Sequence, residues 1–277
     1  MGSGMARRLL GAGFPLAIHS RNAEKTAAFQ AEGAIAAPSY REAAAHADAV
    51  VSMVADDGAS RQVWLGDNGA LAGAAPGTVL IESSTLTVEW LRALAGHAGA
   101  RGCQLLDAPV TGTKPHAASG ELTFLVGGPA AALEKVRPVL DAMGRAIIHL
   151  GPAGSGALLK LINNFLCGVQ AASLAEAVAL VEKAGLDRRK SFEILTNGAP
   201  GSPLVKTLFA RMDARDYTPN FKLRLMAKDI AYAIAEGKQH ALDPVTAPAA
   251  LRVFQQAIAH GDGEKDLSAV VEQFRTE

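Results

Sequence analysis

The chain has 277 residues, 49% of them hydrophobic, and its 27 basic and 27 acidic side chains cancel. That length accommodates a sizeable core and two domains, while a formal charge of zero gives no electrostatic case for nucleic acid or a membrane surface as partner. Only two cysteines, Cys103 and Cys167, and seven scattered histidines argue against a disulfide framework and a metal site, and for a reducing, cytoplasmic location.

In chain order the first half alternates strand-like and helical stretches. Residues 16–20, Leu-Ala-Ile-His-Ser, read as a strand, as do the apolar runs 47–55 and 78–85. Residues 105–109, Leu-Leu-Asp-Ala-Pro, form a short strand running into proline, and 123–126 and 146–150 complete the set. From Gly151-Pro152 onward only helical patterns appear. A long helix starts near Ala157 and runs without proline until Gly185 stops it, followed by helical segments around 188–196, 204–214, 221–236, 246–260 and 267–274. The pattern predicts an α/β domain over 1–152 and an all-α domain over 153–277, joined by the long helix. About thirty helical residues span roughly 45 Å, more than one small domain covers. Part of its apolar face, with Leu174, Val178 and Val181, is therefore expected to meet a second subunit in a homodimer or homotetramer. No apolar run of membrane-spanning length and no signal-like segment are read in the sequence.

Two stretches carry chemistry. In Gly154-Ser-Gly-Ala-Leu-Leu-Lys160-Leu-Ile-Asn163-Asn164 a lysine and two amides share one helix face, since i, i+3 and i+4 are surface neighbours. A buried amine beside a carboxamide can exchange a proton with a substrate hydroxyl; a solvated lysine on a surface helix is the plainer reading. Upstream, Pro109-Val-Thr111-Gly112-Thr113 follows a strand end, where backbone N–H groups can form a nest for a carboxylate. An ordinary strand-to-loop turn uses the same residue types.

These two motifs, in this order, resemble the β-hydroxyacid dehydrogenase family, which includes 3-hydroxyisobutyrate dehydrogenase and tartronate, succinic and glyoxylic semialdehyde reductases, over nearly the whole chain. The resemblance implies a Rossmann-like dinucleotide-binding domain followed by the helical domain. It implies Lys160 as catalytic acid/base with Asn164 assisting, and a substrate carboxylate held by Thr111, Gly112 and Thr113, where relatives usually show Ser-Gly-Gly. Asn163 and Asp229 join the implied substrate site. A third motif, Phe221-Lys-Leu-Arg-Leu-Met-Ala-Lys228-Asp229, implies that Lys228 reaches the cofactor, although an exposed ion pair is the plainer reading.

The front of the chain matches only the second half of the family's Gly-x-Gly-x-Met-Gly-x-x-Met-Ala run. Gly2, Ser3 and Gly4 fall on it, with Gly2 expected to allow close helix–strand packing and the Ser3 and Gly4 amides to face a phosphate. The first strand of the fold is thus expected to be absent, leaving two strands with unpaired inner edges unless another segment fills the slot. After the 16–20 strand, Ser20 and Arg21 stand where an acidic residue would accept the ribose 2′-OH of NAD, and an arginine there favours the 2′-phosphate of NADP, with NAD possible. Val54 and Ala55 are implied beneath the adenosine and ribose, and Thr85 beside the nicotinamide. The expected activity is hydride transfer between NADP(H) and a short β-hydroxyacid or its semialdehyde. An imine reductase, typically without the lysine, and a non-catalytic or cofactor-impaired dimeric relative are the alternatives.

Overall fold

The computed structural model describes residues 1–275. The chain divides into two compact units, Met1–Lys160 and Leu161–Glu277.

The first unit opens with helix α1 (Gly2–Gly11), then β1 (Ala17–Ile18), α2 (Ala23–Ala31), β2 (Ile35–Ala36), α3 (Tyr40–Ala44) and β3 (Ala49–Ser52). It continues with α4 (Asp57–Trp64), α5 (Ala70–Gly73), β4 (Val79–Glu82), α6 (Val88–Ala100), β5 (Gln104–Asp107) and β6 (Val110–Thr111). Helix α7 (Lys114–Ser119), β7 (Leu122–Gly127), α8 (Ala130–Asp141) and β8 (Gly144–Gly151) complete it. β3, β4 and β5 run parallel, β7 and β8 extend the sheet, and β6 pairs with β7 antiparallel. A parallel sheet covered by helices buries its strands on both faces. The continuous apolar run Val79-Leu80-Ile81 is completely buried for that reason.

β1 and β2 stand as a separate two-stranded parallel sheet. In the strand order 3-2-1-4-5-6 of a dinucleotide fold, β2, β1 and β3 occupy places 3, 2 and 4. Among the described residues β1 pairs only with β2 and β3 only with β4, so no segment takes the place between them. β1 is confined to Ala17–Ile18, shorter than the five residues its sequence suggests, and Val50 and Val51 are only half-buried while the residues of β4 are sealed.

Helix α9 (Ser155–Lys183) runs 29 residues. The second unit adds α10 (Arg188–Asn197), α11 (Pro203–Ala214), α12 (Leu223–Gln239) and α13 (Thr246–Ala259). Its last predicted helix is instead a 3-10 turn (Leu267–Val271) followed by the short α14 (Glu272–Arg275), because Asp266 caps the turn by accepting the Ser268 N–H. Leu174 and Val178 belong to the core of this unit, with Val205, Phe209, Met226, Ile230 and Phe254, and Val181 is buried as well. This corrects the expectation that the three face a second subunit: an apolar stripe looks the same in sequence whichever protein surface covers it. The expectation that no segment could cross a membrane is corrected too, since α9 is long and apolar enough by length and composition. Its Ala171, Ala172 and Ala175 instead line the core of a globular unit.

The C-terminal end of α9 is tied down by Arg275, whose guanidinium pairs with Glu182 at 2.5 Å and Glu272 at 2.7 Å. The Arg275 hydrogen bond holds the Glu182 carboxyl below its ordinary value. A depressed carboxyl stabilises the fold above the unfolded-state value and loses that contribution as pH falls through the folded one. The unfolding midpoint is therefore expected to drop below about pH 4.5. Arg275→Met should flatten that part of the profile in a thermal melt series; an unchanged profile would remove the pair from the account.

Candidate active site

Strand β5 ends at Asp107, whose carboxylate is completely buried and reaches the start of α9. The Gly154 N–H donates to its Oδ1 at 2.7 Å and the Ala157 N–H to its Oδ2 at 2.9 Å. The first N–H groups of a helix have no partner of their own, so a carboxylate from the sheet both satisfies them and fixes where the helix begins. Burial pushes the Asp107 carboxyl above its ordinary value, while the amides of Gly154 and Ala157 act against that shift. Gly156 allows the same approach from the backbone side, because a Cβ there would stand 2.1 Å from the Leu125 carbonyl oxygen. The sequence motif contained Asp107, but nothing local in it reveals a partner 47 residues away.

Lys160 lies on the first turns of this anchored helix and is buried, with 9% of its surface exposed. That excludes the solvated-lysine reading. One turn further on, Asn164 is also buried. Its Nδ2 donates to Asp229 Oδ2 at 2.5 Å, and its Oδ1 accepts from Asn163 Nδ2 at 3.0 Å. A carboxylate only accepts, so Asp229 determines which way the Asn164 amide is turned. Lys228 Nζ lies 3.0 Å from Asp229 Oδ1 and 4.9 Å from the centre of the Tyr232 ring. The Lys228-Asp229 pair thus joins Asn163 and Asn164 in one polar group, in which Asn164 and Asp229 are buried and Lys228 and Asn163 half-buried, in place of an exposed ion pair.

In the first unit the predicted carboxylate nest is partly filled. Thr111 sits in β6 opposite Thr123, and Gly112 has φ +115°, a backbone conformation that favours glycine. The Thr113 N–H donates to His116 Nδ1 at 3.2 Å as part of a capping box on α7, so this amide is engaged locally and does not join the expected nest.

The predicted dinucleotide residues occupy three places. At the end of β4, Ser84 Oγ accepts the Val54 N–H at 2.7 Å, so the loops carrying Val54, Ala55 and Thr85 are joined. After β1, the Asn22 N–H donates to Ser20 Oγ and Asn22 caps α2, leaving Arg21 exposed between them. At α1, Gly4 differs from expectation: its N–H donates to the Met1 carbonyl, and a Cβ on it would stand 2.9 Å from Ala117 in α7. The close-packing glycine is therefore Gly4 against a helix, while a Cβ on Gly2 would make ordinary contact with Met53 at 3.5 Å.

These residues fit a dinucleotide. The Ser52 and Ser83 hydroxyls are buried without a hydrogen-bond partner among the described residues, at the carboxyl ends of β3 and β4 where open α/β sheets bind ligands. α1 has no side-chain cap, so its first N–H groups, Ser3's among them, are directed out of its N-terminus.

Residues 1–151 match the family model for the NAD binding domain of 6-phosphogluconate dehydrogenase, and residues 154–274 match the model described as NAD-binding of NADP-dependent 3-hydroxyisobutyrate dehydrogenase. The chain is 37% identical to the NAD-dependent L-serine dehydrogenase of Pseudomonas aeruginosa over 281 aligned residues, covering 99% of this chain and 94% of that protein. Among solved structures, 3-hydroxyisobutyrate dehydrogenase from Salmonella typhimurium superimposes with a TM-score of 0.89 at 33% identity, covering 98% of this chain and 95% of that one. The Mycobacterium tuberculosis 3-hydroxyisobutyrate dehydrogenase with L-serine gives 0.89 at 31% identity, covering 100% and 96%.

Proposed function

Because the chain belongs to the 3-hydroxyisobutyrate dehydrogenase family of NAD(P)-dependent oxidoreductases acting on CH–OH groups, we propose that it interconverts a short β-hydroxyacid and its semialdehyde with NADP(H), Lys160 carrying the proton. The burial of Lys160 on a helix whose start is clamped by Asp107 is the observation that carries this reading.

In the oxidation direction Lys160 Nζ takes the hydroxyl proton, and in reduction it returns one to the carbonyl oxygen. A bound nicotinamide supplies the redox chemistry by accepting or donating the hydride. Asn164, held by Asp229, presents its Oδ1 as an acceptor that keeps the substrate hydroxyl or the amine in line. The Gly112 backbone and the Thr111 hydroxyl receive the substrate carboxylate, with Thr113 shaping the turn through His116. In the first unit Ser3, Val54, Ala55 and Thr85 hold the dinucleotide.

Arg21, exposed at the end of β1, supports NADP over NAD. A charge-assisted bond to a phosphate contributes about 1.5–3 kcal/mol, so Arg21→Asp should raise the KM for NADP by about tenfold or more while leaving that for NAD little changed. Equal effects on both would dismiss the 2′-phosphate contact. Substrate choice is tested by following NADPH oxidation with a panel of semialdehydes and NADP reduction with hydroxyacids. The panel should include L-serine, on which the Pseudomonas relative is named as acting. Turnover of one short member supports the reading; binding of dinucleotide with no turnover of any would refute it.

A further inference from the structure

Both tryptophans of the chain converge on one buried carboxylate that the proposed chemistry leaves unused. Glu82 ends β4 and is completely buried. The Trp64 Nε1–H donates to Glu82 Oε2 at 2.7 Å, the Ser60 hydroxyl donates to the same oxygen at 2.7 Å, and the Ser84 N–H donates to Oε1 at 3.0 Å. Ser60 can donate there because its own oxygen accepts from Trp90 Nε1 at 2.9 Å. Three groups, two from helix α4 and one from the strand end, thus meet on the two oxygens of one side chain. Arg61 contacts the Trp90 ring at 4.0 Å and not the carboxylate.

Burying a carboxyl side chain is costly, and apolar side chains of similar volume would fill the same space at less expense. Packing alone therefore does not explain it. Its partner Ser84 also accepts the Val54 N–H through Oγ, at 2.7 Å. The carboxylate thus holds the Ser84 peptide, and Ser84 holds the Val54 peptide. The two segments leave adjacent parallel strands, paired with Ser52 opposite Glu82, at the carboxyl ends where such sheets receive their ligands.

We propose that Glu82 is a positioning residue for the dinucleotide, setting the shape of the two cofactor-facing loops through the chain Glu82–Ser84–Val54. This rests on the assignment of Val54, Ala55 and Thr85 to the cofactor site. The residue acts through backbone geometry and touches neither hydroxyacid nor proton carrier.

The test is titration of the protein with NADPH, read by quenching of the two tryptophans and by nicotinamide fluorescence. In Glu82→Gln a single amide oxygen replaces two acceptors and the NH2 group meets a donor. Ser84→Ala frees the Val54 N–H and leaves the Glu82–Ser60–Trp64 group intact, so it carries the test if Glu82→Gln does not fold. Both variants should bind NADPH about tenfold more weakly, with the hydroxyacid KM at saturating cofactor within about twofold of wild type. A folded variant of either kind that binds NADPH like wild type, or that loses only thermal stability, overturns the proposal alone. A wild-type chain that binds no nicotinamide dinucleotide overturns it together with the cofactor assignment on which it rests.

Discussion

Replacing Lys160 by alanine is expected to lower kcat by about 10²–10⁴-fold, the range contributed by a positioned general acid or base. The dinucleotide Kd should stay within about twofold, because an interaction made only in the transition state does not set ground-state binding. Lys160→Arg is the sharper experiment. Arginine keeps the positive charge and much of the length but does not give up its proton at neutral pH. If Lys160 moves a proton, the arginine variant should be as slow as the alanine one. If the lysine only neutralises a developing alkoxide, arginine should restore much of the rate. A rate near wild type in either variant would remove Lys160 from the chemistry. Asn164→Ala should act in the same direction with a smaller effect, since it releases the group held by Asp229 and leaves the amine in place.

The features legible in the sequence are those governed by local periodicity and by short motifs. The change from alternating elements to helices after Gly151-Pro152 was readable because helix and strand repeats differ, and α10 to α13 begin and end within a few residues of their sequence signals. Contacts across long separations were not. Asn164 meets Asp229 over 65 residues, and Asp107 meets the start of α9 over 47, with only ordinary polar residues to signal either. Glu82 lies inside the strand-like run 78–85, and only the fold brings Trp64 and Ser60 to it. The stripe of Leu174, Val178 and Val181 failed for a related reason: periodicity says that a face is covered, and tertiary structure says by what.

Asp107→Ala is the change expected to connect stability with turnover most directly. It leaves two buried N–H donors, those of Gly154 and Ala157, without the acceptor they use. Each unmade buried bond costs about 1–3 kcal/mol, and relief from burying a carboxylate offsets part of that, for a net loss of about 2–4 kcal/mol. For a chain of this size that corresponds to a fall of roughly 5–15 °C in the unfolding midpoint. Because burial pushes the Asp107 carboxyl upward, the wild type loses stability as pH rises from the ordinary carboxylate value through the folded one, and the alanine variant should lack that component. Turnover should suffer well below the melting range. Lys160 lies three residues beyond Ala157, and a helix start no longer pinned to β5 shifts the amine, where a displacement of about 1 Å can cost on the order of 10²-fold. Gly156→Ala reaches the same end from the opposite side, since its Cβ meets the Leu125 backbone and the helix must retreat from the sheet. Loss of kcat in both variants, with the hydroxyacid KM and folded content retained at low temperature, would establish that the strand end aims the lysine. An alanine variant at position 107 with full stability and full kcat would show that the helix finds its place without the carboxylate.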